Sequence, residues 1–215
     1  MRLLMVGPPG AGKGTQARRL AERLGVPHIA SGELLRQAMA DHSVVGDQVR
    51  DYVERGDLVP DELMIHFISA RIDSADAEHF VLDGFPRTVT QAGALDLALQ
   101  EASRPLDIVV HLTATDEEVV RRLTGRRMCP VCQHPYHMIY NPPADDEKCD
   151  DDGSPLVTRT DDQPDTVMHR LEVYHRDTEE LIHHYDKQGL VVTVDGMDGM
   201  ELVSERIDKA IEAGP

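Results

Sequence analysis

Four short runs of aliphatic residues punctuate an otherwise mixed chain: Leu3–Val6, Phe80–Leu82, Asp107–Leu112 and Leu190–Val194. Apolar residues follow one another there without polar alternation, as in strands covered on both faces. Pro27–Ala30 is a weaker fifth candidate. Helical patterns fill the intervals; the stripe Ala17, Leu20, Ala21 and Leu24, for example, stops at Gly25. Such alternation predicts an α/β fold, a five-stranded parallel sheet with helices on both faces. Thr115-Asp116-Glu117-Glu118 has the form of a capping box, with the Thr hydroxyl available to the Glu118 amide and the Glu carboxylate reaching back, opening a helix that runs to about Gly125. Pro164 suits the first position of a later helix and Gly189 its end.

Two segments break the alternation. Residues 31–59 read as helical throughout, whereas residues 127–160 are rich in Pro, Cys, Asp and Gly and read as a small loop-built module. Both are expected to be insertions on one core domain made of residues 1–30, 60–126 and 161–215.

A chain of 215 residues can bury a substantial core. No run approaches the roughly 20 apolar residues of a membrane span, and Leu3–Val6 is too short for a signal peptide, so a cytoplasmic protein is expected. The net charge of −17 repels phosphate backbones and argues against nucleic acid or an anionic membrane as partner. That excess suits either general solubility or adaptation to salt, which stability across a salt series would separate. Positive charge must then be local. Of the 22 basic residues all but Lys13, Lys148, Lys187 and Lys209 are Arg, the side chain suited to forked contacts with phosphate.

Directly after the first strand comes Gly7-Pro8-Pro9-Gly10-Ala11-Gly12-Lys13-Gly14-Thr15, followed by the amphipathic helix. Glycines let successive amides turn toward phosphate oxygens, the helix N-terminus adds positive character, and Lys13 can reach the terminal phosphates. Gly14 stands where a Ser or Thr usually binds magnesium, with Thr15 one residue later. At the end of another predicted strand lies Asp83-Gly84-Phe85-Pro86-Arg87, offering a carboxylate for magnesium-bound water and a guanidinium for phosphate.

These motifs, taken with Ser31–Arg36 (SGELLR), Gly56–Glu62 (GDLVPDE), Gly125–Cys132 (GRRMCPVC) and Thr158–Leu171, make a sequence that resembles the adenylate kinases over almost its whole length, in the long form whose lid carries a metal site. The Gly14-Thr15 order is the one that this family shows. The resemblance implies the reaction MgATP + AMP ⇌ 2 ADP, with ATP, AMP and ADP as its partners, Mg2+ accompanying ATP, and a monomer. It implies that Gly10, Gly12, Lys13, Gly14 and Thr15 hold ATP phosphates. Ser31, Arg36, Arg87 and Gln91 would hold AMP, Gln91 through the adenine edge, with Val59 and Gly84 in the same nucleotide-binding set. Arg122, Arg126, Arg159 and Arg170 would surround the transferring group, and Asp83 would anchor magnesium-bound water. Arg127 is expected to form an ordinary surface salt bridge.

Cys129-x-x-Cys132 and Cys149-x-x-Asp152 are two ligand pairs with zinc-ribbon spacing. Asp150, Asp151, His134 and His137 are alternative fourth ligands; the family pattern selects Asp152, implying a structural Zn2+. Asp145, Asp146 and Glu147 read as a solvated acidic face. The insertions are expected to close over AMP (31–59) and ATP (127–160), hinging near Gly56, Gly125 and Asp161-Asp162. Two rivals remain at this point: a kinase of another nucleoside monophosphate, and a phosphate-loop switch with a zinc ribbon for macromolecular contacts.

Overall fold

The computed structural model of the protein describes residues 1–74, 78–145 and 147–215, so Asp146 of the acidic face lies outside the described residues. The core is built from β1 (Arg2–Val6), α1 (Lys13–Leu24), β2 (His28–Ala30), β3 (Phe80–Asp83), β4 (Ile108–Thr113) and β7 (Val191–Asp195). All five strands pair in parallel, in the order β2-β3-β1-β4-β7. Between β2 and β3 run α2 (Ser31–Ala40), α3 (Val44–Arg55) and α4 (Asp61–Ser74). α5 (Val89–Glu101) links β3 to β4, and α6 (Asp116–Thr124) follows β4. A two-stranded antiparallel ribbon, β5 (Arg126–Met128) and β6 (Pro135–His137), comes next. α7 (Pro164–Val173) and α8 (Glu179–Asp186) precede β7, and α9 (Met200–Ala213) closes the chain.

The pleat of β1 sends successive side chains to opposite faces. Leu4 and Val6 pack with Ile68 of α4, Leu95 of α5 and Leu181 and Tyr185 of α8. Leu3 and Met5 join Ala17, Leu20 and Ala21 of α1 and Val203 and Ile207 of α9. Leu3 and Leu4 are both fully buried, which explains why this strand carries no polar alternation. At about 1.5–3 kcal/mol for each large apolar side chain buried, these two faces hold the sheet together. β1 has β3 on one side and β4 on the other, so the chain reverses its winding there and opens a crevice beyond the carboxyl end of β1.

Three local expectations change. The capping box is half made: the Thr115 hydroxyl accepts the Glu118 amide, but the Glu118 carboxylate turns to Arg122 and Arg121, and the Thr115 amide donates to Met197 Sδ. Asp107 lies before β4 and pairs with Arg2, at 2.8 Å. The helix expected from Pro164 onward contains a π-helical stretch, Tyr174–Thr178, between α7 and α8.

Candidate active site

The phosphate loop leaves β1 at Gly7 and enters α1 at Lys13, with Gly12 as the helix N-cap at φ +99°. Lys13 is drawn back over the loop, its Nζ donating to the carbonyls of Gly7 and Pro8, both at 2.7 Å. Burial, opposed by Asp83 and aided by Arg87, Arg170 and Arg126, pushes this ammonium down to about 8. A Cβ at Gly14 would stand 3.3 Å from Asp83 Oδ2, so the missing side chain leaves the carboxylate room in front of the loop. His28 Nε2 lies on the other side of Asp83, 4.0 Å from the same oxygen.

Loop, β3 end, both helices of the 31–59 segment and the ribbon enclose one cavity of about 880 Å3. All residues assigned to nucleotide binding from the sequence line it, from Gly10 to Arg170. Ser31 Oγ and Arg36 Nε are buried there with no hydrogen-bond partner among the described residues, the condition of groups made to receive a ligand. Gly84 sits at φ +78°, and a Cβ on it would come within 2.7 Å of Ser31 Oγ, so only glycine lets the chain turn this close to the serine. Arg87 Nε donates to the Gly84 carbonyl at 2.8 Å.

The remaining arginines converge on carboxylates. Arg126 forks onto Asp162 at 2.7 and 2.6 Å. Arg159 grips Asp161, and Arg170 reaches Asp161 at 3.1 Å and Asp162 at 3.3 Å. Arg122 is held by Glu118 at 2.8 Å and touches the loop carbonyl of Ala11 at 3.3 Å. Burial pushes the guanidinium groups of Arg87, Arg126 and Arg170 below their usual range, and Arg36 down to about 9. Each remains a cation near neutrality, so the cavity is a desolvated positive site that an anion would relieve.

Asp161-Asp162, read from the sequence as lying near a hinge, forms a buried counter-ion pair; the flanking Arg159 was the available clue. Arg170 and Arg159, with Arg126, hold the Asp161 carboxyl well below the usual carboxylate range despite its burial. Arg127 departs from expectation too, donating to the backbone carbonyls of Thr124 and Arg126. Sequence reasoning also missed Glu118 as the partner of Arg122, and the ribbon residues His137 and Tyr140 in the lining.

The cysteine cluster is built around the turn between the ribbon strands, which carries Cys129 and Cys132. One ligand atom from each of Cys129, Cys132, Cys149 and Asp152 falls within 4.8 Å of the others. The amides of Val131 and Cys132 donate to Cys129 Sγ, at 3.3 and 3.4 Å. Asp150 instead accepts from the Ala144 amide, and His137 Nδ1 accepts from Ile139 and Tyr140, which draws both from the cluster.

Residues 5–190 match the sequence model of the family described as Adenylate kinase. The chain belongs to the adenylate kinase family. It is 45% identical over 213 residues to an adenylate kinase of Archaeoglobus fulgidus, a match spanning 99% of this chain and 98% of that relative. An adenylate kinase of Acidothermus cellulolyticus is 47% identical over 212 residues, covering 98% of both chains. One from Methanosarcina barkeri is 42% identical and covers 99% of both. The activity is the adenylate kinase reaction, reversible phosphoryl transfer between ATP and AMP to give ADP.

Proposed function

We propose that the cavity holds ATP through the amides of Gly10, Gly12, Gly14 and Thr15 together with Lys13, and AMP through Ser31, Arg36, Arg87 and Gln91, lined by Val59 and Gly84. Arg122, Arg126, Arg159 and Arg170 then face the phosphoryl group in transit. The observation that carries this reading is the convergence of those arginines, Lys13 and two unpartnered polar groups on one desolvated cavity of a chain with net charge −17. A phosphoryl group in flight spreads charge over three oxygens, so alignment and neutralisation do the catalytic work. Asp161 and Asp162 fix the directions of three guanidinium groups beforehand, which lowers the reorganisation needed when the phosphates arrive.

Asp83 would hold Mg2+ through bound water, and the space that Gly14 leaves in front of its carboxylate fits a hydrated cation. When bound, the ion supplies charge neutralisation at the ATP phosphates. Three thiols and Asp152 are a donor set of the kind that a tetrahedral structural Zn2+ takes. It would staple a module too small to carry a core of its own. These thiols are unpaired, as suits a cytoplasmic protein. The segments 31–59 and 127–160 would close over AMP and ATP respectively to exclude water, with Gly56 and Gly125 near their ends.

Arg87→Ala tests the reading. It should lower kcat/KM for AMP by roughly 10²–10³-fold, the usual effect of losing one preorganised donor to an oxyanion. Unchanged steady-state kinetics would remove Arg87 from the site.

A further inference from the structure

Asp61 opens α4 and reaches the first turn of α5 without lining the cavity. Its Oδ1 accepts from Gln91 Nε2 at 2.7 Å and from the Thr88 hydroxyl at 3.0 Å. Gln91 Oε1, at the other end of the same amide, accepts the Arg87 backbone N–H at 2.8 Å. A primary amide is almost symmetric in shape, but one end only donates and the other only accepts. Here each end meets a partner of single character, since a carboxylate accepts and a backbone N–H donates. Turning the amide over would break both bonds and set oxygen against carboxylate and hydrogen against hydrogen. Gln91 is buried and lines the cavity, so its second N–H and second lone pair are offered there in one fixed order.

We propose that Asp61 is a specificity-determining positioning residue, locking the Gln91 amide in the orientation that accepts a 6-aminopurine and rejects a 6-oxopurine. Adenine presents a donor at its 6-amino group and an acceptor at N1; a 6-oxopurine presents an acceptor at position 6 and a donor at N1. An amide of fixed orientation pairs with the first edge and opposes the second. The inference rests on the reading that Gln91 faces the base, and it adds what sets that residue's polarity. Asp61 acts only through Gln91.

The test compares kcat/KM for AMP and for IMP, at saturating ATP, in the wild type and in Asp61→Asn, Asp61→Ser and Gln91→Leu. Asn and Ser can donate as well as accept, so either removes the Asp61 half of the lock and leaves only the Arg87 backbone N–H to hold the amide. The AMP-over-IMP ratio should fall at least about tenfold in both Asp61 variants, the scale expected when a mismatched polar pair is no longer enforced. Far-UV circular dichroism checks folding, and the Ser variant carries the test if the Asn variant does not fold. A purely structural role would depress both substrates in proportion and leave the ratio at its wild-type value, which overturns the proposal. Gln91→Leu separates the two layers. If its ratio is also unchanged, Gln91 does not read the base and both readings fall; if it collapses while the Asp61 variants keep theirs, only the role of Asp61 is lost.

Discussion

The arginine cavity and the cysteine cluster are both crowded with groups of one chemical kind, and they differ in where the compensation comes from. In the cavity it is written into the chain: Asp161 and Asp162, both buried, accept from Arg126, Arg159 and Arg170. In the cluster the chain brings three thiols and the Asp152 carboxylate together, and beyond a few amide and hydroxyl donors it adds no cation among them from the described residues. The first region is thus poised for a ligand that comes and goes with each turnover, whereas the second suits a partner that stays. Built-in counter-ions keep the active site ordered between substrates, and leaving the counter-charge to solution would make the ribbon dependent on the proposed metal.

Removing a built-in counter-ion breaks this contrast most severely. Asp162 has a fully buried side chain and serves two arginines. Asp162→Ala should cost about 3–5 kcal/mol of unfolding free energy, as expected when one partner of a buried ion pair is lost. Chemical denaturation measures it. Saturating ATP with AMP should restore part of the loss, since phosphates then supply the missing negative charge. A loss below about 1 kcal/mol would mean that the cations do not need their carboxylates, contrary to the usual behaviour of such pairs.

Removing the proposed metal tests the other side. Chelation of the nucleotide-free protein, or Cys149→Ser, should lower Tm by roughly 5–10 °C, corresponding to a few kcal/mol for a chain of this size. Elemental analysis should find one zinc per chain. A Tm indifferent to chelation would place the compensation of the thiols within the protein after all and erase the difference between the two regions.

Features that depend on neighbours in sequence were legible. Unbroken apolar runs marked β1, β3, β4 and β7, Pro27–Ala30 gave a weaker signal for β2, and the glycine loop between a strand and an amphipathic helix located the crevice, because these signals are local. Features that depend on which of several partners wins a side chain were not. Glu118 sits at the right place to complete a capping box, yet Arg122 and Arg121 offer its carboxylate charged donors that the Thr115 amide cannot match. Asp161-Asp162 reads from the sequence only as lying near a hinge; the fold brings Arg126 of the ribbon and Arg170 of the following helix onto the two carboxylates. Asp61 meets Gln91 only because the first turns of α4 and α5 abut, at a separation of 30 residues. The π-helical stretch at Tyr174–Thr178 has no corresponding break in the sequence pattern.

The smallest expected effect distinguishes the cavity's cations from one another. Near neutrality the arginines there stay charged, but burial pushes Lys13 down from 10.5 to about 8, ahead of Arg36 at about 9. In the free enzyme its positive charge is thus lost as pH rises through about 8, and kcat/KM for ATP should fall about tenfold per pH unit above that point. Bound phosphates favour the ammonium, so kcat, which reports the loaded enzyme, should break at higher pH than kcat/KM. For folding the sign is reversed: between about 8 and 10.5 the unfolded chain holds this proton and the folded one does not, so the contribution of Lys13 to stability rises with pH in that window. Parallel pH profiles of kcat and kcat/KM up to pH 9.5 would show that Lys13 keeps its proton in the empty cavity, and that the charge held there is less costly than its burial implies.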